Sequence, residues 1–299
     1  LAKMNLLQEN LSDTIKYYHK TLAIQRKTDR HDLIAQTHLN LSHLYYLIKD
    51  YEEAHFHAQT SFEIGEKTKD INIKIHSLFY QGKIAFTEED LKPSMFFLTL
   101  CKEEIENSTY LNPTLEARLH SMLGNLSFKQ NSFEQALNFY QIALNLFERK
   151  KNYTKVAAIH KMESTIYYRV GKIGLAQKAI TKAIKLLENL DISVHSKILT
   201  QFYLFQARLF LYASNFEKAE EICEESIAIA EKNHYLRHLS ESLIFMAELL
   251  LVSRKKREDE KLILNYLDEA LMISQNKKNE TLKVHALITK SKYYRDFNQ

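Results

Sequence analysis

The chain has 299 residues, with 41 Lys and Arg against 37 Asp and Glu and 45% hydrophobic side chains. Five Gly and two Pro are few for this length, which excludes an architecture of long loops. No run of eighteen apolar residues and no charged-then-apolar leader is present, so the expectation is a soluble protein of the cytoplasm. Residues 1–150 carry 17 basic and 19 acidic side chains, and residues 151–299 carry 24 and 18. That bias is too mild, and the signs too mixed, to argue for nucleic-acid binding.

In chain order, residues 1–9 match only the later part of a helix, so the sequence is expected to start inside a repeat, with something upstream missing. A second helix is predicted from about Leu11 to Lys27. Helix pairs follow at 32–68, 73–107, 115–150, 155–188 and 197–232. Their junctions, TDRHD, TKDIN, TYLNP and NLDIS, carry the Asp, Asn, Thr and Ser suited to turns and N-caps. Pro93 falls near a helix start and Pro113 in a junction. A seventh pair spans about 236–277, with the charged run SRKKREDE (253–260) read as a solvated longer turn or, alternatively, a partner-docking element. Residues 281–297, with Ser291 and Tyr294 in register, read as a solitary closing helix.

The pairs are copies of one pattern. A small residue opens each second helix at Thr14, Ala54, Ser94, Ala136, Ala176 and Ala219, at separations of 40, 40, 42, 40 and 43. Twelve residues earlier stand Ala2, Ser42, Gly82, Gly124, Ser164 and Ala207, and seven later Thr21, Ser61, Cys101, Ala143, Ala183 and Ser226. Small residues at a helix crossing let two backbones approach, which is why Gly is placed where propensity alone disfavours it. Three such columns in register mean a helical repeat array, here about seven helix pairs plus the closing helix in one superhelical domain over 1–299. In the seventh pair the columns fall at Ala247, Ile263 and Ala270. Cys101 lies in a small-residue column and Cys223 inside a helix more than a hundred residues away, so both are expected to be buried small hydrophobes.

The columns, with the turns KDYEEA (49–54), NSFEQA (131–136) and SNFEKA (214–219), resemble the tetratricopeptide repeat family. That resemblance implies an all-α, right-handed solenoid of helix hairpins over essentially the whole chain. The period exceeds the family's usual 34, implying helices longer by one to two turns, and the proline that often ends the unit is nearly absent. A longer unit is similar to that of bacterial regulators with this fold, the MalT-type activators and the RRNPP peptide-pheromone receptors.

No glycine-rich phosphate loop, HExxH, GxSxG or paired CxxC occurs, so no enzyme activity and no cofactor is expected. His234 and His238, with Glu241 three residues on, have metal-like spacing. A zinc site needs three or four converging ligands, and the junction between the two histidines argues against one. His38, His120 and His160 share one column, four residues before the small residue of each first helix. The reading is structural, a packed ring with one nitrogen satisfied, with a pH switch as the alternative.

The first helices of such an array line one side of the stack. Side chains at +1, +4, +5, −3 and −6 from their small residue are expected to face a groove. These are His76, Phe79, Lys83, Phe86, Arg118, Asn125, Phe128, Lys129, Lys161, Thr165, Tyr168, Arg169, Gln201 and Arg208. Cations clamp carboxylates, aromatic rings supply contact area at little entropic cost, and Asn125 could hold a peptide backbone. The family's carboxylate clamp is similar in chemistry, but its Lys and Asn do not fall at the same offsets here. The expected function is a non-catalytic binding domain for an extended peptide or protein segment with acidic groups or a free carboxylate, without membrane or nucleic-acid contacts of its own. The RRNPP resemblance would make the ligand a signalling peptide and the protein a quorum-sensing transcription regulator, with a second copy of the chain as a further candidate partner. The alternative is a scaffold or a regulatory adaptor of an upstream catalytic module that binds folded partners.

Overall fold

The computed structural model describes residues 2–27, 30–109, 112–190, 192–253 and 259–297. Among these the chain is all helix, in fourteen segments without a strand, and it divides into two compact units, Leu1–Lys150 and Lys151–Gln299.

The first unit holds α1 (Ala2–Gln25), α2 (His31–Ile48), α3 (Tyr51–Thr68), α4 (Ile71–Thr87), α5 (Leu91–Glu106), α6 (Pro113–Lys129) and α7 (Phe133–Arg149). The second holds α8 (Tyr153–Arg169), α9 (Ile173–Glu188), α10 (Ile192–Tyr212), α11 (Phe216–Lys232), α12 (Leu236–Ser253), α13 (Asp259–Asn276) and α14 (Glu280–Phe297). From α2 to α13, each even-numbered helix pairs with the odd-numbered helix after it, giving three hairpins per unit.

The small-residue columns lie at the hairpin crossings. Ala54, Ser94, Ala136, Ala176 and Ala219 are fully buried, as are their partners Ser42, Ser164 and Ala207, and Gly82 and Gly124 are buried too. Four of the columns' serine hydroxyls donate to carbonyls of the partner helix, while the buried Ser42 Oγ has no hydrogen-bond partner. Ser94 Oγ donates to Gly82 O at 2.9 Å and Ser164 Oγ to Ala176 O at 2.6 Å. In the later column, Ser61 and Ser226 donate to Ala35 O and Thr200 O. A hydroxyl bonded in this way is satisfied without adding volume that would spread the helices. Cys101 and Cys223 are buried, and burial pushes both thiols up to about 12.

The hairpin turns repeat one geometry. Lys49, Glu89, Asn131, Gly171 and Ser214 each adopt positive φ just past a first helix. The following amide closes back on the helix, as Asp50 N to Tyr45 O and Ser132 N to Ser127 O at 3.0 and 2.9 Å. This left-handed cap favours Gly, yet only Gly171 uses one. Asp50, Asp70, Asn112, Asn152 and Asn215 then cap the helices they precede.

The structure differs from the sequence expectation in three places. The break expected near residue 10 is absent: α1 runs from Ala2 to Gln25, and Thr14 Oγ1 donates to Asn10 O at 2.6 Å within that turn. No Gly or Pro interrupts the ladder there, so it continues. Helix α10 starts at Ile192 rather than 197, and Ser196, inside it, is buried with its hydroxyl 2.7 Å from Tyr235 OH. In α14, Leu282, Ala286, Thr289 and Tyr293 are buried while Ser291 and Tyr294 are exposed. The Ser291 column faces a second helix elsewhere, and none covers it in α14 among the described residues. The charged run at 253–260 falls mostly outside the described residues, as do the side chains of residues 1–9.

Candidate functional site

In the first unit the even-numbered helices α2, α4 and α6 are neighbours. The expected groove residues meet across them as cations over rings. Lys83 Nζ on α4 lies 3.7 Å from the centroid of Tyr46 on α2. On α6, the Arg118 guanidinium lies 4.7 Å from Phe79 and Lys129 Nζ 5.0 Å from Phe86, both rings on α4. Each basic side chain thus leans on an aromatic ring of the preceding first helix, keeping its charge while its stem covers apolar surface. Lys83 and Arg118 also act on nearby imidazoles. His43 is held below the ordinary histidine value by burial, then by Lys83 and Arg118, and His76 by burial and Arg118. This face of the first unit is cationic.

Several members serve structure as well. Phe79 is 1% exposed and belongs to the core with Leu78, Leu98 and Leu119. Asn125 Oδ1 accepts from the fully buried Tyr140 at 2.7 Å, so half of its amide is engaged inside the hairpin. Phe128 packs on Phe133, and Lys129 pairs with Glu89 at 3.0 Å.

In the second unit, the cations again sit over rings of neighbouring first helices. Lys161 Nζ on α8 is 5.0 Å from the Phe205 ring on α10, and the Arg208 guanidinium is 5.7 Å from Phe245 on α12. Tyr168 is part-exposed and meets Phe205 and Tyr212 edge-on. Thr165 donates to Lys161 O of its own helix, and Arg169 is exposed.

A cavity of about 530 Å³ opens between α8, α10, α12 and α14. Lys161, Lys197, Arg208 and Arg237 line it with Gln201, His238, Glu241 and His285, and Leu204, Phe205 and Leu282 supply apolar wall. Glu241 is its one carboxylate and is already engaged: Arg237 Nε donates to it at 3.1 Å, and His238 Nδ1 lies 3.3 Å away. The Gln201 amide faces His238 Nε2 at 3.3 Å. With that amide donating, the imidazole proton sits on Nδ1, toward Glu241. Burial raises the Glu241 pKa, but its bonds to His238 and Arg237 outweigh that and hold the carboxyl below its ordinary value.

A second cavity, of about 400 Å³, shares Lys197, Arg237 and His238 with the first and adds Lys277 and Asn279. Among the described residues, no group of three or more His, Cys, Asp or Glu is arranged to hold a metal ion.

Of the cavity's lining, Lys161, Gln201 and Arg208 are among the expected groove residues, and His238 and Glu241 belong to the group with metal-like spacing. Glu241 and His285 occupy the same −6 column as His76, Arg118 and Gln201, counted from Ala247 and Ser291. Following that column to the end of the chain would have found them. Lys197 and Arg237 each stand ten residues before their small residue, a column outside the offsets considered.

The histidine column resolves into separate environments. His38 Nδ1 faces His57 Nδ1 at 2.7 Å, both rings buried. His160 Nδ1 bonds Glu163 at 2.6 Å while its Nε2 is without a partner, and His120 Nδ1 is likewise unsatisfied.

No curated protein matches the sequence. Among solved structures, the apo form of the quorum sensor NprR from B. thuringiensis aligns with TM-score 0.71 at 12% identity, over 97% of this chain and 83% of that one. A signal transduction ATPase with numerous domains from Pyrococcus horikoshii, which carries a tetratricopeptide repeat sensor, gives 0.71 at 18%, over 93% of this chain and 43% of its own. The apo form of RapI gives 0.65 at 13%, over 88% and 98%. At these identities the likeness is one of fold. Residues 1–67 match the tetratricopeptide repeat family, and the chain is built as an all-α solenoid of tetratricopeptide-type hairpins.

Proposed function

We propose that this chain is a non-catalytic binding array whose first-helix faces receive an extended peptide or protein segment bearing acidic groups. The observation that carries this reading is the recurrence of a cation over an aromatic ring of the adjacent first helix, at Lys83, Arg118, Lys129, Lys161 and Arg208. A side chain held that way is pre-positioned, so less rotamer entropy is lost when a carboxylate arrives. Within this reading the protein is a sensor of a signalling peptide, as in RRNPP-type regulators. Support comes from fold likeness to NprR, itself a quorum sensor, and to an ATPase with a tetratricopeptide sensor. No helix among the described residues is long and apolar enough to cross a membrane, which accords with a ligand met in solution.

Isothermal titration with a pool of heptapeptides carrying two Asp or Glu tests the proposal, against a basic pool as control. Binding of the acidic pool alone, weakened at least tenfold by Lys83→Glu with Arg169→Glu, is the expected result. If acidic peptides bind and the double reversal leaves that binding intact, the first-helix faces are not the site.

A second reading, a scaffold for folded partners, has its own observation. Phe56 and Phe96 are 58% and 63% exposed, each two residues past the small residue that opens its second helix. Capture of a partner lost on Phe56→Ser with Phe96→Ser, but kept on reversal of the first-helix charges, would favour it.

A further inference from the structure

We infer that the cavity of the second unit is an anchoring site for a compact dianion, a group bringing two negative charges and at least three oxygens into one small volume. The inference rests on the proposed binding role and names the chemistry of the ligand's anchored end.

Four cations line the cavity, and its single carboxylate, Glu241, is committed to Arg237 and His238. Among the described residues, no carboxylate lies within salt-bridge distance of Lys161, Lys197 or Arg208; Lys161 and Arg208 instead lie over aromatic faces. Lys161 is only partly exposed, and burial followed by the field of Arg208 holds its ammonium below the ordinary lysine value. Gathering like charges beside the part-buried Lys161 is unfavourable, and an anion that enters relieves it.

The stoichiometry narrows the class. One carboxylate would leave two of the three cations uncompensated. A phosphomonoester carries about −1.5 to −2 at neutral pH with three acceptor oxygens. A C-terminal acidic residue offers the same charge from two neighbouring carboxylates. Leu204, Phe205 and Leu282 on the same wall would hold the apolar part of whatever carries the anion. Glu241 makes the cavity selective, because a ligand carrying its charges elsewhere meets a carboxylate rather than a cation.

The test uses the full chain and four small probes at fixed ionic strength. Phenyl phosphate represents the phosphomonoester, N-acetylaspartate the paired carboxylates, N-acetylglycine the matched monoanion, and chloride the non-specific anion. Binding is read from isothermal titration and from the amide shifts of the second unit. The expected result is that at least one dianion binds ten times or more tighter than N-acetylglycine. Lys161→Gln and Arg208→Gln should each weaken it about tenfold, and Lys92→Gln, an exposed lysine of α5 in the first unit, should leave it unchanged. Preference for phenyl phosphate assigns a phosphorylated ligand, and preference for N-acetylaspartate assigns a peptide with an acidic C-terminal residue. Equal binding of monoanion and dianion, no binding above chloride, or an equal effect of Lys92→Gln overturns the inference. Acidic heptapeptides that bind without any loss on Lys161→Gln and Arg208→Gln would remove the anchor while leaving the wider binding role standing. Dianions that bind where no peptide does would do the reverse.

Discussion

Replacing Gly124 by Ala separates crossing geometry from helix propensity. A Cβ built there would lie 2.5 Å from Tyr140 Cε1 and 2.7 Å from Cδ1, inside any real contact distance. The ring cannot swing away cheaply: Tyr140 is fully buried and its hydroxyl donates to Asn125 at 2.7 Å. Overpacking of this kind costs about 1–3 kcal/mol. Ala gains up to about 1 kcal/mol over Gly in a helix interior, which offsets part of that. The net expectation is a loss on the order of 1–2 kcal/mol, or a few degrees in melting temperature for a unit of this size. Gly174 is the control, because a Cβ there has nothing within 4 Å. Gly174→Ala should stabilise by up to about 1 kcal/mol, chiefly by restricting the unfolded chain. Urea titrations followed by circular dichroism should therefore move the two midpoints in opposite directions. If Gly124→Ala raises its midpoint as Gly174→Ala does, backbone approach is not what the small-residue columns encode.

Further outcomes follow from single residues. His38 and His57 are held at about 4, burial being the main cause, below the ordinary value of 6.5. A base depressed on folding is protonated first in the unfolded chain, so stability is present above pH 6.5 and is lost as pH falls from there toward 4. The slope is up to about 1.4 kcal/mol per pH unit for each proton, and urea midpoints at pH 7 and 4.5 should show it shrink in the His38→Leu, His57→Leu double variant. Asp70 accepts from the amides of Asn72 and Ile73 at 3.0 and 3.1 Å. Asp70→Ala should cost about 1 kcal/mol in the same titration. At the hairpin turns, Lys49 holds φ +66° and Gly171 φ +76°. Lys49→Gly should gain a few tenths of a kcal/mol up to about 1, and Gly171→Ala should lose about as much; equal signs in thermal melts would deny the left-handed cap its role.

The hairpin array was legible in the sequence because its constraint is local and repeated. Two helices can cross closely only where side chains are small, so Ser42, Gly82, Gly124, Ser164 and Ala207 had to recur in step with Ala54, Ser94, Ala136, Ala176 and Ala219. The same register foretold which first-helix positions carry cations and rings, but not how they meet. That Lys83 covers Tyr46, or Lys161 Phe205, depends on how adjacent hairpins stack, which no single period encodes. Burial of Phe79 and the Tyr140–Asn125 bond are likewise decided by packing across elements.

The cavity of the second unit shows the division most plainly. Its cations come from α8, α10 and α12, and each looks alone like an ordinary solvated side chain. The sequence by itself determined the helices, their pairing and their period, since these rest on contacts within one hairpin. Only the tertiary structure placed Lys161, Lys197 and Arg208 around one volume and set Gln201 against His238, because electrostatic energy depends on distances between helices that the chain separates by some forty residues.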